Sequence, residues 1–277
     1  MKPDDLILGV DIGGSTTKIV AFDRAGSMLD ALQVRADDQL TSLYGAIGRL
    51  LYKNGLSLSQ LGRIALTGVG ASWVEGDVYG VPTERVREFE AIGRGGLMLA
   101  GLQQALVVSM GTGTAFVRAS AVDGCTHIGG SGVGGGTLMG LSDRLFNLHN
   151  IEAVLALAEK GDLEGVDLTI RDISNVEIPS LPAHATAANF GNVKSTATDG
   201  DFALGLLSMI FQTAGTLAVF ANAATPEYRI VVTGSMAKLP QAAPMLKEVG
   251  ALYGIDFIIP DNPAFATAIG AAALVAK

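Results

Sequence analysis

Three short stretches carry residue types suited to handling an anion. Asp11-Ile12-Gly13-Gly14-Ser15-Thr16-Thr17-Lys18 places a carboxylate at the end of an apolar run, two glycines and hydroxyls at a turn, and a lysine on the way back. Bare amides at such a turn can approach phosphate oxygens, the carboxylate can hold a hard cation, and the lysine adds a point charge. Ser109-Met110-Gly111-Thr112-Gly113-Thr114 repeats the pattern between two further apolar runs. Each stretch alone also reads as an ordinary hairpin turn, but two of them can grip a polyphosphate from both sides. In Val231-Val232-Thr233-Gly234-Ser235-Met236 a strand passes through a glycine toward a helix, where an adenosine can lie against backbone.

A fourth stretch, HIGGSGVGGGTLMGL at 127–141, sets six glycines between Gly129 and Gly136 beside one histidine. Ordering glycine costs more backbone entropy than ordering any other residue, so this density needs a reason. We expect a turn from Gly129 to Gly136 that feeds a helix near Thr137 and brings the amides of its first turn to a ligand.

Composition narrows the chemistry. Cys125 is the only cysteine, and His127, His149 and His184 are scattered, which leaves little room for disulfide, redox or structural-zinc functions. The net charge of −8 comes without basic runs and argues against nucleic acid as a partner. No uninterrupted apolar run approaches the ~18 residues needed to cross a bilayer, so no membrane association is expected. The first residues, MKPDDLILGVDIGG, do not read as a signal peptide and point to the cytoplasm.

The elements that must position these motifs follow from periodicity and turn signals. Strands are expected at Leu6–Asp11, Thr17–Phe22, Met28–Val34 and Arg63–Thr67, with helices at Leu40–Tyr52 and Arg85–Leu102. The pattern then restarts with strands at Ala105–Met110, Ala115–Ala119 and Cys125–Ile128. Helices follow at Thr137–Leu145, Ile151–Glu159 and Asp201–Ala223, then a strand at Arg229–Thr233, a helix at Pro240–Tyr253, a strand at Asp256–Ile259 and a closing helix at Ala264–Lys277. Two lobes that each open with antiparallel strands around a Gly/Thr turn imply an internal duplication. We divide them at 1–103 and 104–277, and read Ile173–Gly200 as an irregular lid or substrate loop.

In this order and spacing the motifs resemble the superfamily of acetate and sugar kinases, heat-shock chaperones and actin. Within it, the chain looks most like the type II pantothenate kinases. The residues that carry the closer likeness are REFEA at Arg87–Ala91, GTGT at Gly111–Thr114, GGSGVGGGTLMGL at Gly129–Leu141, ATAANFG at Ala185–Gly191 and AIGAA at Ala268–Ala272. The resemblance implies a duplicated actin-like ATPase (ribonuclease H-like) α/β fold with ATP and Mg²⁺ in the cleft between two lobes. It also implies phosphorylation of pantothenate at its terminal hydroxyl, the first step of coenzyme A synthesis, by a homodimer. It assigns Glu88 as catalytic base and Asp11 as metal ligand. ATP phosphates would meet Gly13, Gly14, Ser15, Thr16, Lys18, Gly111, Thr112, Gly113, Thr114, Gly134, Gly135 and Gly136, with Gly234 and Ser235 near the nucleoside. His127, Gly129, Gly130, Ser131, Ala188 and Asn189 would meet the acceptor.

Two positions depart from the family pattern. His127 stands where relatives of this kind place an arginine against the substrate carboxylate, and a guanidinium fork is not matched by an imidazole. Ser109-Met110 stands where many superfamily members carry an aspartate, which shifts metal binding to Asp11 and Glu88. Arg87, Arg118 and Arg171 are candidates to compensate. Alternatives are therefore a kinase for an acceptor without the carboxylate, such as pantetheine or another small alcohol, or a nucleotide sensor of the same fold without turnover. The superfamily's ATPase activators of radical dehydratases need cysteines for an iron-sulfur cluster that one cysteine does not readily supply.

Overall fold

The computed structural model describes residues 6–35, 38–179 and 181–276. The expectations that rest on the first five residues and on Lys277 lie outside them. The first half of the chain folds as β1 (Leu6–Ile12), β2 (Thr16–Phe22), β3 (Met28–Arg35), α1 (Gln39–Asn54), β4 (Leu61–Thr67), β5 (Thr83–Arg85) and α2 (Glu88–Ala100). The second continues through β6 (Gln104–Met110), β7 (Thr114–Ser120), β8 (Gly124–Ser131), α3 (Gly135–Phe146), α4 (Ile151–Ala158), β9 (Leu168–Thr169), α5 (Ile170–Ile173) and β10 (Thr186–Ala188). It ends with α6 (Asp199–Asn222), β11 (Arg229–Thr233), α7 (Ala242–Tyr253), β12 (Phe257–Ile258) and α8 (Ala266–Val275).

The expected duplication is present in the strand connectivity. One sheet runs β3-β2-β1-β4-β5 and the other β8-β7-β6-β11-β12. In each, three consecutive strands pair antiparallel, and two later strands add in parallel beside the first. The central strands are covered by helices on both faces. They therefore read as continuous apolar runs rather than alternating ones.

On the outer face of the first sheet, Leu43, Ile47 and Leu50 of α1 pack on Leu8, Val10 and Leu66. Helix α1 starts where the Asp38 carboxylate accepts from Thr41 N at 2.6 Å and stops at Gly55, which takes φ 64°. On the outer face of the second sheet, Phe211, Leu207 and Ile210 of α6 join Leu106, Val108 and Phe116. The apolar length of α6 would suffice to cross a bilayer, which reading the sequence for uninterrupted runs missed, but here that surface is largely spent on this core.

Helices α2 and α8 lie back to back between the two sheets and exchange partners. Ile92 and Leu97 of α2, from the first half, pack on Val107, Val117 and Val231 of the second sheet. Ala268, Ile269 and Ala272 of α8, the last helix, pack on Val20 of the first. The helices approach backbone to backbone: a Cβ at Gly95 would fall 1.8 Å from Ala266 O, and one at Gly270 would fall 1.9 Å from Ala91 O. AIGAA is thus a contact motif at the crossing of the two helices.

Three expectations are corrected. The helix expected from Arg85 begins at Glu88, because Thr83–Arg85 adds to the open edge of β4 as β5. The glycine stretch is not one turn: β8 runs through Gly129, Gly130 and Ser131, and α3 begins at Gly135, so the connection spans only 132–134. The segment after Ile173 is less irregular than expected, since Thr186–Ala188 pairs antiparallel with β9.

Candidate active site

The β1–β2 hairpin brings Asp11 and Lys18 together as cross-strand partners. Both are buried, with Lys18 Nζ 3.5 Å from Asp11 Oδ2. Burial pushes the Asp11 carboxyl up from its usual range, against the pull of the Lys18 charge and hydrogen bond. At the tip, Gly13 N donates to Thr16 O at 3.0 Å. Gly14 and Ser15 are exposed, and their amides donate to no group among the described residues.

The β6–β7 hairpin faces it. Gly111 N donates to Gly113 O at 2.8 Å, Thr112 is exposed, and Thr114 is buried with its hydroxyl donating to Val133 O at 2.8 Å. The two tips approach one another: a Cβ on Gly14 would lie 4.0 Å from Thr112 Oγ1. The pairing expected from two separate motifs is thus realised in space.

The glycine-rich stretch does something other than expected. Gly135 N donates to Gly111 O and Gly136 N to Thr112 O, both at 2.8 Å. Gly134 N donates to Thr137 Oγ1 at 3.2 Å. These amides are spent inside the fold rather than free for an anion. A Cβ at Gly134 would fall 2.7 Å from Thr112 O, and one at Gly136 would fall 2.9 Å from Thr112 Cγ2. The missing side chains let α3 close against the second hairpin and buttress it. Gly234, at φ 92° with N donating to Pro263 O at 2.8 Å, and half-buried Ser235 lead into a 3₁₀ turn. That turn carries Met236, whose Sδ would lie 3.4 Å from a Cβ on Gly135, so the third motif joins the same cluster.

Glu88 is the first residue of α2 and half-buried. Burial pushes its carboxyl up, the nearby Asp11 charge adds to the rise, and Lys18 opposes it. Three charged groups from three elements therefore share one field. The next residue, Phe89, stacks on His127 of β8, with ring centroids 3.9 Å apart and planes 8° from parallel.

Ala188 and Asn189 lie apart from this cluster. Asn189 Nδ2 donates to Asp167 Oδ2 at 3.4 Å and to Gln212 Oε1 at 3.3 Å, and among the described residues no hydrogen bond joins the pair to either hairpin. Buried Asp167 also accepts from Thr186 Oγ1 and from Phe190 N, whose residue takes φ 55°. Two of the three candidate compensating arginines are engaged in ion pairs. Arg87 pairs with Glu90, Arg171 pairs with Glu164, and Arg118 Nε is buried without a partner among the described residues.

Sequence reading missed Thr67 and Gly68. Thr67 is the parallel-strand partner of Asp11, and its hydroxyl is buried without a hydrogen-bond partner among the described residues. A Cβ at Gly68 would fall 2.6 Å from Asp11 Oδ1, so only glycine lets that turn close over the carboxylate. The TGVG at Thr67–Gly70, directly after a strand, was the available signal.

A family model described as Fumble matches residues 102–248. The type II pantothenate kinase of Staphylococcus haemolyticus (strain JCSC1435) is 28% identical, with 95% of this chain and 98% of that protein covered. The type II pantothenate kinase of Staphylococcus aureus (strain NCTC 8325 / PS 47) is 26% identical, with 95% and 97% covered. Among solved structures, the activator of the 2-hydroxyisocaproyl-CoA dehydratase from Clostridium difficile with bound ADPNP has a TM-score of 0.70 at 13% identity, covering 98% of this chain and 94% of that one. The ROK hexokinase from Thermus thermophilus has a TM-score of 0.53 at 15% identity, with 97% of each chain covered. These likenesses show the duplicated, two-lobed actin-like fold. With its glycine-buttressed second hairpin inside a model match that spans more than half its length, the chain belongs to the Fumble family, that of the type II pantothenate kinases.

Proposed function

We propose that this protein is an ATP-dependent kinase that phosphorylates the terminal hydroxyl of pantothenate, the first step of coenzyme A synthesis. The observation that carries this reading is the convergence of the two facing hairpins with Asp11, Lys18 and Glu88. Unspent amides at Gly14 and Ser15, with Thr112 opposite, suit the β- and γ-phosphates, while Lys18 supplies positive charge where the transferring phosphoryl group becomes negative. Gly234 and Ser235 suit the nucleoside end. Glu88 accepts the proton of the acceptor hydroxyl as its oxygen bonds to the γ-phosphorus; the bond from that phosphorus to the β–γ bridging oxygen breaks, and ADP leaves. A carboxyl held above its usual range is a better proton acceptor near neutral pH.

The residues suit Mg²⁺ held jointly with the nucleotide. Among the described residues the buried Asp11 carboxylate pairs with Lys18 at 3.5 Å, and they contain no cluster of three His, Cys, Asp or Glu side chains for an all-protein site. Asp11 would hold the ion, and when bound it supplies charge neutralisation at the phosphates. In this reading the lobes are 1–103 and 104–277, the active form is a cytoplasmic homodimer, and His127 with Gly129, Gly130 and Ser131 borders the acceptor.

A second acceptor reading rests on His127. With one ring face covered by Phe89, its imidazole offers a hydrogen bond only from its edge, a weaker carboxylate partner than an arginine fork. This favours acceptors in which the carboxylate is masked, such as pantetheine. Measuring ADP release from purified protein with pantothenate, pantetheine and a panel of sugars separates the readings. Turnover with pantothenate is expected, turnover with pantetheine alone selects the second reading, and activity on neither overturns both.

A further inference from the structure

The first turn of α2 carries Glu88; its Ala91 side is buried against α8, whereas the side carrying Phe89 is exposed. Arg87, at the N-cap position, makes no side-chain capping bond and turns to Glu90. Phe89 is 39% exposed, so its ring is not locked by core packing. What it touches is His127, through the parallel stack at 3.9 Å. Strand β8 is at the sheet edge and carries one extra residue, Ile128, opposite β7 at this point. Bulges of this kind re-aim neighbouring side chains. The ring runs alongside the strand, with Nε2 3.8 Å from where a Cβ on Gly130 would stand.

We infer that His127 is a positioning residue for Glu88: its imidazole face, stacked on Phe89, pins the first turn of α2 to β8 and so holds the carboxylate toward Asp11 and Lys18. The inference rests on Glu88 being the base. An aromatic stack of this strength corresponds to a change of up to roughly tenfold in the ratio of held to released turn. Holding Glu88 uses the ring face, which any flat ring provides, and leaves the ring edge to border the acceptor.

The test is steady-state kinetics with ATP and pantothenate, and with pantetheine in parallel, on His127→Ala, His127→Phe, Phe89→Leu and the double variant Phe89→Leu/His127→Ala. We expect His127→Ala and Phe89→Leu each to lower kcat by up to about tenfold, with KM within about twofold of the parent in Phe89→Leu, which leaves the imidazole edge in place, and the kcat of the double variant to be no lower than that of either. His127→Phe, which keeps the stack and removes the ring nitrogens, should restore most of kcat. A raised acceptor KM in both His127 variants with kcat intact would overturn the inference and assign His127 to acceptor binding; parent kcat in His127→Ala would overturn it as well. Glu88→Gln in the same assay keeps the failures distinct. If it turns over normally, the base assignment falls and takes the inference with it. If it is inactive while the stacking variants behave like the parent, only the stack's role falls.

Discussion

Lys18 and Asp11 form an ion pair across the adjacent strands of the first hairpin, 3.5 Å apart with less than a tenth of each residue exposed. Neither is free to find water as an alternative partner. Removing one therefore leaves the other as an uncompensated buried charge, which in proteins typically costs about 3–5 kcal/mol. Lys18→Met should lower stability by about 3 kcal/mol in chemical denaturation and also abolish measurable turnover. Asp11→Asn likewise leaves Lys18 as an uncompensated buried charge and should cost a similar amount of stability, while also losing Mg²⁺-dependent nucleotide binding. A loss below about 1 kcal/mol in both variants would show that the pair's charges are solvated.

Glu88→Gln should retain ATP binding by calorimetry and lose about 10²–10⁴-fold in turnover, the usual contribution of a positioned base. Near-parental turnover would remove Glu88 from the mechanism.

The pH dependence follows from the raised Glu88 carboxyl. The base works ionised, so kcat/KM should fall as pH drops through that raised value, at a higher pH than for an ordinary glutamate. Asp11 raises this pKa and Lys18 lowers it, so Asp11→Asn should shift any measurable acid limb toward lower pH. For stability the sign is opposite to that of a salt-bridged carboxylate: the contribution is complete below the unfolded pKa and lost as pH rises through the folded one. Glu88→Gln should therefore melt at or slightly above the parent's temperature at neutral pH, read by calorimetry, and no higher than the parent at acid pH.

At the crossing of α2 and α8, Gly95→Ala and Gly270→Ala each drive a methyl group into a backbone carbonyl at under 2 Å. The helices must separate, and since this pair connects the two sheets, each change should cost more than the 1–3 kcal/mol of ordinary overpacking. Thermal unfolding checks this; a loss within 0.5 kcal/mol, as on an open surface, would show that the crossing is loose.

Asp201 caps α6 and ties it to the preceding turn. Its carboxylate accepts from Thr198 N and Asp162 N, each at 2.7 Å, and these bonds hold its pKa below the usual range. Asp201→Ala leaves two donors unmet and should lower stability by roughly 2 kcal/mol. The Asp201 contribution is present above the unfolded pKa and is lost as pH falls through the folded one. The stability gap between parent and variant in denaturant titrations should therefore narrow in acid.

Much of the architecture was legible in the residues, because central strands covered on both faces must read as apolar runs, and the hairpin motifs recur at the end of the first strand of each half. The short pieces were not legible: Thr83–Arg85 and Thr186–Ala188 become strands only because a neighbouring edge offers them a partner. At the site, Asp11 and Lys18 could be paired from their hairpin spacing, since strand register is local. The use of Gly134–Gly136 could not, because their density signals close approach without saying to what, and the partner proved to be the hairpin at Gly111–Thr112.

The sequence by itself determined the kind of protein: a duplicated α/β chain with two glycine-threonine hairpins, one lysine and a family signature, all properties of local pattern. The tertiary structure decided which groups meet. It set Gly14 opposite Thr112, brought Glu88 into the field of Asp11 and Lys18, closed Gly68 over Asp11, and laid His127 against Phe89. Each of these joins residues far apart in the chain. Such contacts are set by how helices and sheets pack, and no periodicity within a single element encodes them.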